Sequence, residues 1–226
     1  MRVCVFVEGA SEKQFFDAVV APLVLDKNPR IFTIWSMNVD GVGKHESQKY
    51  IKLSRFIRTQ ICSDNSAIYS TMFDYYAFPK DMPGFTYTAN PDPYIMVDER
   101  ETGFRNALLA EEKLASFSDR IEFHPNLMLH EYETLMYCDL DKLMHLRDTN
   151  PAGIKRLKKE VEGCSNIELI NDDPHKAPSK RIGKVIPSYD FQKTTNALNV
   201  MKSIGIETIL DKCQHFRKWF DWLCEL

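Results

Sequence analysis

The feature that most constrains this chain is its opening: an apolar, largely β-branched run, Arg2 to Val7 (RVCVFV), cut off by Glu8-Gly9. A short run apolar at successive positions fits a strand buried on both faces, as in a parallel sheet, because an alternating strand would show polar residues at every second place. Gly9-Ala10-Ser11 then supplies a turn and a capping residue, and apolar residues at helical spacing follow from Glu12. Strand, turn and helix at the start predict an α/β sheet. In such sheets functional groups gather at the carboxyl ends of strands. Glu8 occupies that position.

The pattern repeats. Ile31 to Val39 (IFTIWSMNV) reads as a second strand, and residues 45 to 62 as an amphipathic helix packed on the sheet. Ala67 to Phe73 is a third apolar run that ends at Asp74, placing a second carboxylate at a strand's carboxyl edge. Residues 77 to 98 are rich in Pro, Asp, Asn and Tyr and predict a loop or lid, Glu99 to Ser116 a helix, and Ile121 to Met128 a fourth strand. From 130 the chain reads as helical, 150 to 190 as a polar segment with several breakers, and 194 to 226 as two short helices. We expect a core over 1–140 and a mostly helical extension over 141–226 packed on it.

Composition excludes some classes. A net charge of −3 over 226 residues is not that of a protein coating nucleic acid through bulk charge, so nucleic-acid contact must be local. Basic residues concentrate in Lys155-Arg156-Leu157-Lys158-Lys159 and around Lys176, Lys180 and Arg181, which allows a basic rim around an acidic centre. No apolar run approaches the roughly 20 residues of a membrane-spanning helix, and no secretion signal is read at the N-terminus, so a soluble cytoplasmic protein is expected. Six cysteines without a CxxC pair argue against a zinc site or a disulfide framework, and most are expected to be buried thiols.

Four constellations carry chemistry. Glu8-Gly9-Ala10-Ser11-Glu12 sets carboxylates beside a helix start that favours an anion, so a metal and a phosphate could meet there; the alternative is a strand end and a helix cap. Asp74 suits a hard cation such as Mg²⁺, or else accepts loop N–H groups. His130-Glu131-Tyr132-Glu133 offers two further carboxylates, needed where two-metal phosphoryl chemistry gathers several, or is an acidic helix start. It lacks HExxH spacing, which removes a zinc-protease reading. Lys176, Lys180 and Arg181 could hold scissile phosphate, or form a solvated loop. The aromatic C-terminus packs on the core rather than stacking on bases.

The blocks VEGASEKQFF (7 to 16), TMFDYYAFPKDMPG (71 to 84), LMLHEYETLMYCD (127 to 139), KAPSKRI (176 to 182) and CQHFRKWFDWL (213 to 223) together resemble the bacterial Toprim-like proteins grouped as domain of unknown function 4276. The resemblance implies a Toprim fold, a Rossmann-like parallel sheet flanked by helices, shared by primases, topoisomerases and overcoming-lysogenization-defect nucleases. Glu8 and Asp74 look like its glutamate and the first aspartate of its Asp-x-Asp pair. Tyr76 departs from the second, so Glu131 or Glu133 is expected to complete the site. By the same resemblance the ion is Mg²⁺ or Mn²⁺, ligated by Asp74, with Glu8 ligating it or acting as general acid or base; the expected ligands are Glu8, Asp74, Glu131 and Glu133, and the acidic catalytic candidates Glu8, Glu12 and Asp74. Lys176, Lys180 and Arg181 would steady the phosphate. It further implies a nuclease acting on DNA or RNA beside an adjacently encoded ATPase in anti-phage defence. A non-catalytic partner or regulator of an ATPase, another phosphotransfer enzyme and self-association into a homo-oligomer all stay open.

Overall fold

A computed structural model describes residues 1–39, 49–76, 78–83, 92–164, 166–170, 177–189 and 192–226. Strand β1 (Arg2–Val7) is the centre of a parallel sheet, with β2 (Thr33–Asn38) on one side and β3 (Ile68–Asp74) on the other. Val3 faces Ile34 and Ile68, and Val7 faces Asn38 and Met72. Val3 to Val7 are wholly buried, which is why that run could be apolar throughout.

The expected fourth strand is two short ones, β4 (Phe123–His124) and β5 (Leu127–Met128), both parallel to β3. Between them stands Pro125, which has no N–H to give the ladder. Thr71 fills the gap: its hydroxyl donates to the Asn126 carbonyl at 2.7 Å and accepts from the Asn126 N–H at 2.9 Å.

Successive β1 residues serve opposite faces. Val3, Val5 and Val7 join one core with the helix that follows β1, a 3-10 segment Tyr132–His145 and the C-terminal helices; Cys4 and Phe6 join the other. Covering that second face are α3 (Lys49–Ser63), α4 (Pro93–Leu109) and α5 (Glu112–Ala115). The first helix runs as α1 (Ala10–Phe15), a π-helical turn Phe16–Val20, and α2 (Ala21–Lys27). Pro22, at the start of α2, lacks the N–H a continuous α-helix would require, and the wider turn absorbs that loss.

Several expectations are corrected by helix starts. The loop expected over 77 to 98 gives way to α4 already at Pro93, because Asp92 accepts from the Tyr94 N–H at 2.9 Å and proline fits the first helical position. The segment 150 to 190 contains α6 (Pro151–Val161), capped by Asn150 onto the Gly153 N–H, and α7 (Pro178–Val185). Prolines that read as breakers are helix beginnings. The C-terminus forms three helices, α8 (Lys193–Ile204), α9 (Ile206–Lys212) and α10 (Gln214–Glu225), because Gly205, at φ +84°, and Cys213 interrupt it. The helical reading after 130 meets the 3-10 segment, broken by extended backbone at Asp139.

Of the six cysteines, all free, Cys4, Cys138 and Cys213 are buried and Cys62 is exposed, so burial is less general than expected. Trp219 and Phe220 are buried in the core. Among the described residues no helix is long and apolar enough to cross a membrane.

Candidate metal and phosphate centre

Two adjacent parallel strands deliver two carboxylates to one edge. Glu8 follows β1 and Asp74 ends β3, and the Asp74 N–H donates to Glu8 Oε2 at 3.2 Å. Asp74 Oδ1 accepts from the Tyr132 N–H at 2.8 Å, tying the start of the 3-10 segment to the same edge. Just before that segment, His130 holds a left-handed backbone, φ +66°, which is uncommon outside glycine.

Glu12 lies in the first turn of α1, 6% exposed, and Glu133 in the 3-10 segment, 1% exposed. Burial raises the proton affinity of Glu8, Glu12, Asp74 and Glu133 above that of a free carboxylate. Mutual repulsion adds to this, most plainly at Asp74, which faces Glu8, Glu12, Glu133 and Glu131. These four groups therefore form one electrostatic unit and titrate together.

Two cations act on them among the described residues: Lys49, at the start of α3, favours the charged form of Glu8, and a second makes a direct ion pair. Lys193, the first residue of α8, places Nζ 2.5 Å from Glu133 Oε1. Burial disfavours its charge, but Glu133, Glu12 and Asp74 outweigh that and hold it protonated. Apart from this ion pair, Glu133 Oε1 has no hydrogen-bond donor among the described residues, and neither has the buried Tyr132 hydroxyl a partner. Burial, with Glu12, Glu133 and Asp74 alongside, keeps that hydroxyl protonated.

The remaining expected residues lie elsewhere. Glu131 Oε2 accepts from the Ser179 N–H at 3.0 Å and so serves the first turn of α7, although its charge still reaches Asp74. Lys180 and Arg181 are on helix α7 rather than in a loop: Lys180 points to solvent, and Arg181 pairs with Glu160 at 3.0 Å. Lys176 lies outside the described residues. Tyr76, 48% exposed, does not replace the missing aspartate, and its N–H donates to the His130 carbonyl. The cation paired with the cluster is Lys193, for which the sequence carries no signal.

In chemical type the donors suit the ion that the resemblance implies, since all are hard carboxylate oxygens, and burial is the main reason their proton affinities are raised. As they stand, no three His, Cys, Asp or Glu side chains among the described residues are gathered tightly enough to hold an ion. The residues supply the charge, and an arriving ion would have to draw them together.

No curated protein matches the chain. Among solved structures, the C-terminal region of the Burkholderia pseudomallei OLD protein shares its fold with a TM-score of 0.50, over 99% of this chain and 97% of that one, at 14% identity. The parallel sheet flanked by helices is thus the expected α/β architecture, with a mostly helical C-terminal part. The model of the family described as Domain of unknown function (DUF4276) matches residues 7–224, nearly the whole chain, and the protein belongs to that Toprim-like family.

Proposed function

We propose that the protein is a metal-dependent nuclease that hydrolyses phosphodiester bonds in DNA or RNA. The observation that carries this reading is the convergence of Glu8, Glu12, Asp74 and Glu133 from four segments on one sheet edge, with Lys193 paired to Glu133. Glu8 and Asp74 would hold Mg²⁺ or Mn²⁺, with Glu133 and Glu12 completing the set and Glu131 second to them because it is committed to α7. Such an ion, when bound, polarises a phosphoryl oxygen and acidifies water.

The protein's own groups do the rest. Lys193, partly exposed, offers an ammonium to the charge of a scissile phosphate. Glu12, whose proton affinity burial raises, is suited to accept and return a proton. Tyr132 keeps a neutral O–H available as a donor inside the cluster. Service as the effector of an ATPase in anti-phage defence belongs to the same reading and rests on the family resemblance of the sequence. The exposed Tyr76 favours one alternative, a non-catalytic partner or regulator of an ATPase.

Plasmid, linear DNA and RNA incubated with Mg²⁺ or Mn²⁺ separate the two. Nicking or degradation by the wild type, reduced about 100-fold or more in both Glu8→Ala and Asp74→Ala, is the expected result. Cleavage that survives both substitutions would remove the assigned centre.

A further inference from the structure

Helices α6 and α7 carry seven of the chain's Lys and Arg residues and one acid, Glu160, in a molecule whose net charge is −3. The imbalance is therefore local. The two helices pack against each other in opposite directions. Gly153, near the start of α6, meets Val185 at the end of α7, while Glu160, near the end of α6, meets Arg181. A Cβ on residue 153 would lie 2.8 Å from Val185 Cγ1, so glycine is what lets the rods approach.

Two of the seven cations are neutralised in place: Lys158 by Asp141 at 2.5 Å and Arg181 by Glu160. Lys155, Arg156, Lys159, Lys180 and Lys184 are exposed, and none has an acidic partner among the described residues. Lys155 and Lys159 are four residues apart on α6, as are Lys180 and Lys184 on α7. Each pair stacks like charges about 6 Å apart on one helix face, an arrangement that destabilises an isolated helix. Such repulsion is relieved by a polyanion with regularly repeated charges. The first turn of α7 lies beside the acidic centre, because the Ser179 N–H donates to Glu131, whose charge reaches Asp74.

We propose that the paired α6 and α7 helices are a docking ridge for the phosphodiester backbone of a nucleic acid, gripping it beside the carboxylate centre and not within it. The proposal rests on the nuclease reading for the identity of the polyanion. The ridge explains how an acidic protein holds an acidic substrate: the bulk charge repels, and one strip attracts. Contacts are to the backbone, so affinity depends on salt and little on base sequence.

The test measures binding by fluorescence anisotropy of labelled duplex DNA and single-stranded RNA between 50 and 200 mM salt with EDTA, which separates binding from cleavage. The wild type is compared with Lys155→Gln/Lys159→Gln, Lys180→Gln/Lys184→Gln and Asp74→Ala. Each lysine pair is expected to weaken binding roughly tenfold at about 0.1 M salt and to flatten the slope of log affinity against log salt by about 1.8, while Asp74→Ala binds at least as well as wild type. Hydrolysis of bis(p-nitrophenyl) phosphate, too small to span the ridge, is expected to be unchanged in Lys155→Gln/Lys159→Gln. Circular dichroism melts confirm that these exposed substitutions leave the fold intact. Lysine variants that bind like wild type would overturn the ridge and leave the nuclease reading untouched. Binding lost in the lysine variants, with no hydrolysis by any form, would keep the ridge and remove the nuclease. Capture by anionic phosphatidylglycerol vesicles but by neither nucleic acid would overturn the choice of partner.

Discussion

Glu8 and Asp74 illustrate how buried carboxylates gathered on one sheet edge strain the protein that carries them. Their carboxyls hold protons more tightly than free ones because burial and mutual repulsion penalise the charged forms. Glu8→Gln removes one repelling charge while keeping the shape. We expect it to stabilise the ion-free protein by about 1 kcal/mol, roughly 2–4 °C in a melt, and to lack the rise in melting temperature expected of the wild type with Mn²⁺. A lower melting temperature in this variant would mean that the Glu8 charge supports the fold. Lys193→Met acts in the opposite sense, leaving Glu133 buried without its cation. The expected loss is about 1–2 kcal/mol, smaller than for a fully buried pair because the ammonium side is 40% exposed, and chemical denaturation measures it. Glu8 and Asp74 were legible because a lone acid closing an apolar run needs only the strand to be recognised. Lys193 was not, because its neighbours lie 60 residues and more away and only the docking of α8 brings them together.

At the scale of elements, the sequence is clear where periodicity is strong and misleading where punctuation is ambiguous. Pro93, Pro151 and Pro178 read as interruptions, yet each opens a helix, because the N–H that proline lacks is unused in the first turn. Gly153 tests the pairing of α6 with α7. In Gly153→Ala the added methyl gains helix propensity but meets a branched valine that cannot swing away, so we expect a net loss of about 1–3 kcal/mol by urea denaturation. The docking of α10 has a pH signature. Burial works against the His215 imidazolium, but its 2.9 Å hydrogen bond to Glu101, with Glu168 and Asp98 nearby, raises its proton affinity above the ordinary value of 6.5. A raised folded value makes this contribution complete below pH 6.5 and progressively lost as the pH climbs through the folded value. Melts from pH 5.5 to 8.5 should show a steeper decline for wild type than for His215→Gln; parallel curves would contradict the pairing.

Across the whole molecule, residues of the expected core over 1–140 and of the extension over 141–226 pack into one hydrophobic cluster. Val3, Val5 and Val7 share their core with Val200, Phe216, Trp219 and Phe220 from the last helices. Glu168 caps α10 by accepting from the His215 and Phe216 N–H groups, and Asn28 donates to the carbonyl of Leu226. A fragment ending at residue 140 would expose one face of the sheet, so it is expected to be unfolded by circular dichroism while the full chain melts in one transition. The alternation of strands and helices made the fold class legible early. The splitting of the last strand, and the seating of the C-terminal helices against β1, depend on long-range contacts that local patterns do not encode.

Isothermal calorimetry of Mn²⁺ against the wild type and Asp74→Asn at neutral pH tests the central claim most directly, because it asks whether the carboxylate edge takes a cation before any substrate is chosen. The account predicts saturable binding by the wild type, with proton release from the carboxyls, and its loss in Asp74→Asn. Equal binding by both proteins, or none by the wild type, would contradict a metal centre at Glu8 and Asp74.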